Sequence, residues 1–120
     1  MPEASPTVRV LIVDDDRDIR ETLGDLLTDE GFEVEAAWNG ETALSRLAEG
    51  FRPDVIVLDV MMPVMDGLTF RSLQRSHPAL AGIPVLGLTA FPPPDADFEC
   101  LQKPLRFELL VEKLRAVVRR

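Results

Sequence analysis

At 120 residues the chain has the length of one domain, enough to bury roughly two-thirds of the surface its unfolded form exposes, and an apolar content of 46% supplies a core. A formal net charge of −8, from 21 acidic against 13 basic residues, excludes direct nucleic-acid binding by this domain, because no basic stripe is present to displace counterions from a phosphate backbone. The single cysteine, Cys100, rules out an intrachain disulfide and suggests no zinc cluster, and no apolar run reaches the length of a membrane span. The opening Met1-Pro2-Glu3-Ala4-Ser5-Pro6 lacks a cationic and then apolar leader. A flexible N-terminus over residues 1–6 and a cytoplasmic domain over 7–120, with no membrane partner, are the expectations.

Thr7 to Val13 (TVRVLIV) is β-branched and apolar and runs straight into Asp14-Asp15-Asp16, which predicts a central strand with acids at its tip. Ile19, Leu23, Leu26 and Leu27 then recur at helical spacing, predicting a helix from Asp16 to Glu30 with Asp16 or Asp18 serving its first turn and Gly31 its stop. Phe32 to Ala37 alternates apolar and acidic residues, as an edge or half-exposed strand does. Asn39-Gly40 turns the chain into a second helix carried by Ala43, Leu44, Leu47 and Ala48 and closed at Gly50, with Trp38 packing locally at its entry.

Val55-Ile56-Val57-Leu58 is an unbroken apolar run that ends on Asp59, the pattern of a strand buried on both faces with a carboxylate at its carboxyl end. A loop punctuated by Pro63 and Gly67 follows, in which Met61, Met62 and Met65 are expected to pack. Leu68, Phe70 and Leu73 predict a third helix ending before Pro78, with His77 in a surface loop. Ile83 to Leu88 predicts a fourth buried strand running into Thr89-Ala90, and Phe98 to Gln102 a short fifth running into Lys103-Pro104. Cys100 in that strand reads as a small core residue. Leu105 to Val118 carries Leu110, Leu114, Val117 and Val118 on one helical face and is followed by Arg119-Arg120, whose cations suit the helix dipole. Strand and helix alternate almost throughout, which predicts a doubly wound parallel sheet with helices on both faces.

Four strand ends then present polar groups to one edge of the sheet: Asp14 and Asp15, Asp59, Thr89, and Lys103. Two carboxylates about 4 Å apart repel by roughly 4 kcal/mol at an effective dielectric near 20, so protons or a cation must settle the charge. Hard oxygen donors without histidine or cysteine point to Mg²⁺ or Mn²⁺. A lysine and a hydroxyl converging on the same place suit a phosphoryl group, whose charge is spread over its outer oxygens. Competing uses of these residues are less specific. Asp14, Asp15, Asp16 and Asp18 also suit a solvated helix N-terminus. An EF-hand beginning at Asp14 fails at its sixth position, which requires glycine and holds Ile19.

Val13-Asp14-Asp15-Asp16, Leu58-Asp59 with Met62-Pro63 and Asp66-Gly67, Leu88-Thr89-Ala90 and Lys103-Pro104, in that order, resemble the receiver domain of two-component response regulators over nearly the whole chain from Thr7. The resemblance implies a flavodoxin-like, CheY-like five-stranded parallel sheet of order 2-1-3-4-5. It implies that Asp59 accepts a phosphoryl group from a sensor histidine kinase, a phosphotransfer protein or a small phosphodonor. Asp15, Asp59 and the backbone carbonyl of Met61 are then the Mg²⁺ ligands, with Asp14 assisting through water. Thr89 and Lys103 hold phosphoryl oxygens, and the Lys103-Pro104 peptide is cis. The phosphoryl transfer is autocatalytic, as is its later loss, so the protein is a signalling switch rather than a metabolic enzyme.

Two departures from the family stand out. Only Thr89 to Asp97, including Pro92-Pro93-Pro94, separates the fourth strand from the fifth. The helix that receivers carry there is therefore expected to be missing or reduced to one turn near Asp95. Its loss is expected to bare apolar sheet around Val85, Leu86 and the fifth strand, forming a docking or homodimer surface. The second departure is Cys100, which stands where receivers carry a switching Tyr or Phe, with Phe98 two positions earlier on the same face. Both departures keep a second function in view, a receiver-like docking module indifferent to phosphate. A Mg²⁺-dependent phosphohydrolase using Asp14 or Asp59 as nucleophile is a third, against which Asp59-Val60-Met61 lacks the second acid such enzymes place two residues on.

Overall fold

The structure is a computed structural model that describes residues 7–61, 65–94 and 96–118. Five strands, β1 (Arg9–Val13), β2 (Glu33–Ala37), β3 (Val55–Asp59), β4 (Val85–Thr89) and β5 (Glu99–Gln102), form one parallel sheet in the order β2-β1-β3-β4-β5. The helices are α1 (Arg17–Asp29), α2 (Gly40–Ala48), α3 (Gly67–Arg75) and α4 (Phe107–Val118). The expected sheet order is the one observed. β4 begins two residues later than Ile83, β5 one residue after Phe98, and α4 two residues after Leu105.

The period-two alternation of the central strands sorts the core into two layers. Val10, Ile12, Val55, Val57, Leu86, Leu88 and Leu101 face α1 and α4, meeting Leu23, Leu27, Leu110 and Leu114. Leu11, Val13, Ile56, Leu58 and Val85 face the other way, onto Ala43 and Leu47 of α2, Phe70 of α3, and Leu80. Every residue of β3 and β4 is buried, whereas the edge strand β2 is half-exposed.

Helix ends follow the local chemistry. The Asp16 carboxylate caps α1 by accepting from the Asp18 and Ile19 amides, Asn39 caps α2 through the Thr42 amide, and Asp66 caps α3 through the Thr69 amide. α1 and α2 each close on a glycine at positive φ, Gly31 at 96° and Gly50 at 110°. The amides of Phe32 and Phe51 then reach back to the carbonyls of Leu27 and Arg46. Gly67 is needed for another reason: a side chain there would lie 2.7 Å from the Val60 Cα, so the loop after β3 closes only over a bare backbone.

Among the described residues no helix lies between β4 and β5, as the short connection predicts; Asp95, where a single turn was expected, lies outside the described residues. The predicted bare sheet is corrected. Val85 and Leu86 are only 6% and 0% exposed. Leu86 points into the α1/α4 layer, which never depended on the missing helix, and Val85 sits in the opposite layer with Leu80, Ile83 and Phe70. In β5 Leu101 is buried, while Cys100 is partly exposed rather than a core residue. Trp38, at the entry to α2, is 55% exposed. Met61 is exposed too, Met65 packs against Gly40, and Met62 lies outside the described residues. His77 is on the surface, as expected.

Candidate functional site

Parallel pairing aligns the carboxyl ends of β1, β3, β4 and β5, and the polar residues that follow each apolar run meet there. The Asp14 amide still donates to the Ala37 carbonyl at 3.1 Å, continuing the β1–β2 ladder by one residue. Its side chain is thereby held inside the sheet edge and is 1% exposed, whereas Asp15 stands in solvent. One Asp14 carboxylate oxygen accepts from the Asp16 amide at 2.9 Å, and the other, Oδ2, is buried with no partner among the described residues. Asp59, the last residue of β3, is 5% exposed and accepts from the Met61 amide at 3.1 Å. Carboxylate oxygens of Asp14, Asp15 and Asp59 lie within 4.8 Å of one another.

The lysine arrives from β5. Its backbone amide donates to the Thr89 carbonyl at 2.9 Å, which extends the β4–β5 pairing past the strand ends, and the Lys103-Pro104 peptide is cis. Its ammonium lies 3.8 Å from Asp59 Oδ1. Thr89 is 1% exposed at the end of β4, and its hydroxyl is held by the backbone of Phe91, with 3.2 Å to the amide and 3.4 Å to the carbonyl.

The electrostatics follow from this crowding. Burial first and the neighbouring Asp14 charge second raise the Asp59 pKa from 3.8 to about 6, against the opposing pull of Lys103 and the Met61 amide. Asp14 is raised as well, first by burial, against the pull of the Asp16 amide and Lys103. A cavity edge holding two acids above their ordinary pKa, a third acid in solvent and a buried oxygen without a donor is short of positive charge. A divalent cation with oxygen ligands fits that deficit, and the donor set has the hard character that Mg²⁺ prefers.

The structure brings together Asp14, Asp15, Asp59 and Lys103, and it places Thr89 at the neighbouring strand end. Three residues with a structural part in this region carried no signal in the sequence. Gln74 is fully buried on α3 and donates to the carbonyls of Leu80 and Ile83 at 2.8 and 2.9 Å, bracing the turn that leads into β4. Gly87 is the point where β5 leans on β4, and Asp97 is paired with both Arg71 and Arg75.

Three carboxylates, a lysine and a strand-end threonine thus gather at the carboxyl ends of a doubly wound parallel sheet, where α/β domains place their ligand crevices. The profile of the response regulator receiver domain matches residues 10–115, and the chain belongs to that family. It is 42% identical to the response regulator MprA of Mycolicibacterium vanbaalenii over 94% of this chain and 51% of that protein, so it spans about half the length of such relatives. Among solved structures it resembles chemotaxis protein CheY4 of Vibrio cholerae, with a TM-score of 0.84 and 36% identity over 92% of this chain and 98% of the other. It also resembles the signal receiver domain of a signal transduction histidine kinase from Syntrophus aciditrophicus, with a TM-score of 0.84 and 30% identity over 94% and 91% of the two chains.

Proposed function

We propose that this receiver accepts a phosphoryl group on Asp59 from a phosphohistidine protein, a sensor histidine kinase or phosphotransfer protein of the cytoplasm, and passes the signal on through a change of conformation or association. The observation that carries the proposal is the Lys103 ammonium standing 3.8 Å from an Asp59 carboxylate that shares its notch with Asp14 and Asp15. An Asp59 oxygen attacks phosphorus, the P–N bond to the donor imidazole breaks, and the imidazole nitrogen takes up a proton. Lys103 neutralises part of the charge that accumulates on the phosphoryl oxygens, and the Thr89 hydroxyl donates to another of them. Mg²⁺, held by Asp15, Asp59 and the Met61 carbonyl with Asp14 assisting through water, would supply the remaining positive charge.

A groove of about 460 Å³ beside Lys103, lined by Ile19, Leu23 and Leu26 of α1 and by Pro104, Leu105 and Phe107, supports docking of a donor protein next to the notch.

A phosphate-indifferent docking module is favoured by two observations, the absence of a helix between β4 and β5 among the described residues and Cys100 in the position of the switching aromatic residue. Fluorine NMR with beryllofluoride, which mimics a phosphoryl group, separates the two functions when recorded with Mg²⁺. A phosphorylated switch binds it and shifts the Thr89 amide; a docking module does neither. The phosphohydrolase alternative predicts turnover of external phosphate esters, which a receiver does not show.

A further inference from the structure

The connection from β4 to β5 is fastened at both ends. At the near end the Thr89 hydroxyl holds the backbone of Phe91. At the far end Asp97 accepts from Arg71 Nε at 3.3 Å and pairs with Arg75, both on α3. Arg71 is itself fixed, because its guanidinium also donates to Gln74 Oε1 at 2.9 Å, and Gln74 is buried. Next to Asp97, the Phe98 ring lodges against Gly87: a Cβ on Gly87 would lie 2.7 Å from the ring carbon Cε2 and 2.9 Å from the sulfur of Cys100. Gly87 and Thr89 project from the same face of β4, since they are two residues apart.

Between the two fastenings run Pro92, Pro93 and Pro94, then Asp95, which lies outside the described residues, and Ala96, whose amide donates back to the Pro93 carbonyl at 3.3 Å. Proline fixes φ, so a triple-proline segment behaves as a stiff spacer and has little slack to absorb a displacement at one end. Of the two ion pairs at the far fastening, the one to Arg75 is exposed and holds loosely, whereas Arg71 is largely buried.

We propose that Arg71, Arg75 and Asp97, with Phe98 seated over Gly87, form a latch that reports the state of Thr89 to α3 through the proline spacer. While Thr89 holds Phe91 the latch is closed. When the Thr89 hydroxyl turns to a phosphoryl oxygen on Asp59, Phe91 is released, the spacer shifts, and the hold of α3 on Asp97 loosens. The latch rests on the phosphoryl-acceptor function proposed above, and it gives this chain a relay that needs neither the missing helix nor an aromatic residue at position 100.

NMR amide and guanidinium exchange, recorded with Mg²⁺ and with or without beryllofluoride, tests the latch at both ends. The Phe91 amide reports the near end and the Arg71 Nε–H the far end. In the parent, bound beryllofluoride is expected to speed exchange several-fold at both groups. With Pro92→Gly, Pro93→Gly and Pro94→Gly combined, the Phe91 amide should respond while the Arg71 Nε–H does not. Asp97→Asn should leave the Arg71 Nε–H exchanging fast from the start, with beryllofluoride still taken up, and Gly87→Ala should do the same by displacing the Phe98 ring. If Gly87→Ala fails to fold, Asp97→Asn and the glycine spacer decide. Beryllofluoride seen bound by fluorine NMR with the Arg71 Nε–H unchanged overturns the latch alone. Beryllofluoride that does not bind overturns the phosphoryl-acceptor function and the latch with it.

Discussion

Asp59 is held at a pKa of about 6 by burial and by the charge of Asp14, and that has a cost in stability with a definite sign. A carboxyl whose pKa is raised on folding keeps its proton in the folded protein where the unfolded chain has already lost it, so stability falls as pH climbs through that interval. For Asp59 the interval runs from 3.8 to about 6. Without divalent cations, Asp59→Asn is therefore expected to match the parent at about pH 4 and to exceed it at about pH 7.5, as read from urea midpoints. Mg²⁺ should narrow the gap by stabilising the parent alone; equal midpoints at the higher pH in chelator would refute the crowding. Lys103 pulls the same pKa downward, so Lys103→Met should push the Asp59 titration above its parent value, followed through the side-chain ¹³C shift. A midpoint that stays put would mean the ammonium does not sense Asp59. Asp14 and Asp59 were legible in the sequence because each ends an apolar run, and Lys103 because it precedes Pro104 at a strand end. Which acid is buried was not, since Asp14 goes inside only because its amide extends the ladder to Ala37, a contact 23 residues away in the chain.

At the scale of elements, α3 does more than cover the sheet. Gln74 serves two carbonyls and Arg71 at once, so replacing it with leucine leaves the Leu80 carbonyl without its donor in a buried setting. Gln74→Leu is expected to destabilise the fold by about 2 kcal/mol, measured by urea unfolding, even though it adds apolar volume; a neutral effect would show that water serves those carbonyls instead. At α2, Asn39→Ala removes the oxygen that accepts from the Thr42 amide at 2.8 Å and should cost about 1 kcal/mol. The helices and their stops were legible from apolar spacing and from Gly31 and Gly50. The shortness of the β4–β5 connection was also legible, by counting residues against the span of a crossover. Its consequence was misjudged at Val85 and Leu86, because alternation sends Leu86 to the α1/α4 layer and Val85 is covered by Leu80 and Ile83. The pairing of Asp97 with Arg71 and Arg75 had no sequence signal: the partners are 26 and 22 residues apart, and ordinary surface charges look the same.

For the whole molecule, the sheet order and the gathering of strand ends at one edge follow from alternation of elements and from the resemblance to receivers. The chain spans about half the length of the response regulator MprA that it matches. Of the described residues, no helix is long and apolar enough to cross a membrane. Because the folded chain alone gathers Asp14, Asp15 and Asp59, a cation that binds there stabilises by mass action, by about 2.7 kcal/mol at a hundred times its Kd if the unfolded chain does not bind it. Asp15→Asn should remove most of that gain in thermal melts with and without Mg²⁺ while leaving the metal-free melting temperature nearly unchanged, since Asp15 is exposed.

The notch as a phosphoryl acceptor is tested most directly by mass spectrometry of the intact protein and its peptides after incubation with acetyl phosphate and Mg²⁺. The parent is expected to gain one phosphoryl group, located on the peptide that carries Asp59, and to gain none when Mg²⁺ is chelated or when Asp59→Asn is used. A parent that stays unmodified, or an Asp59→Asn variant that takes up the group just as well, would contradict the account.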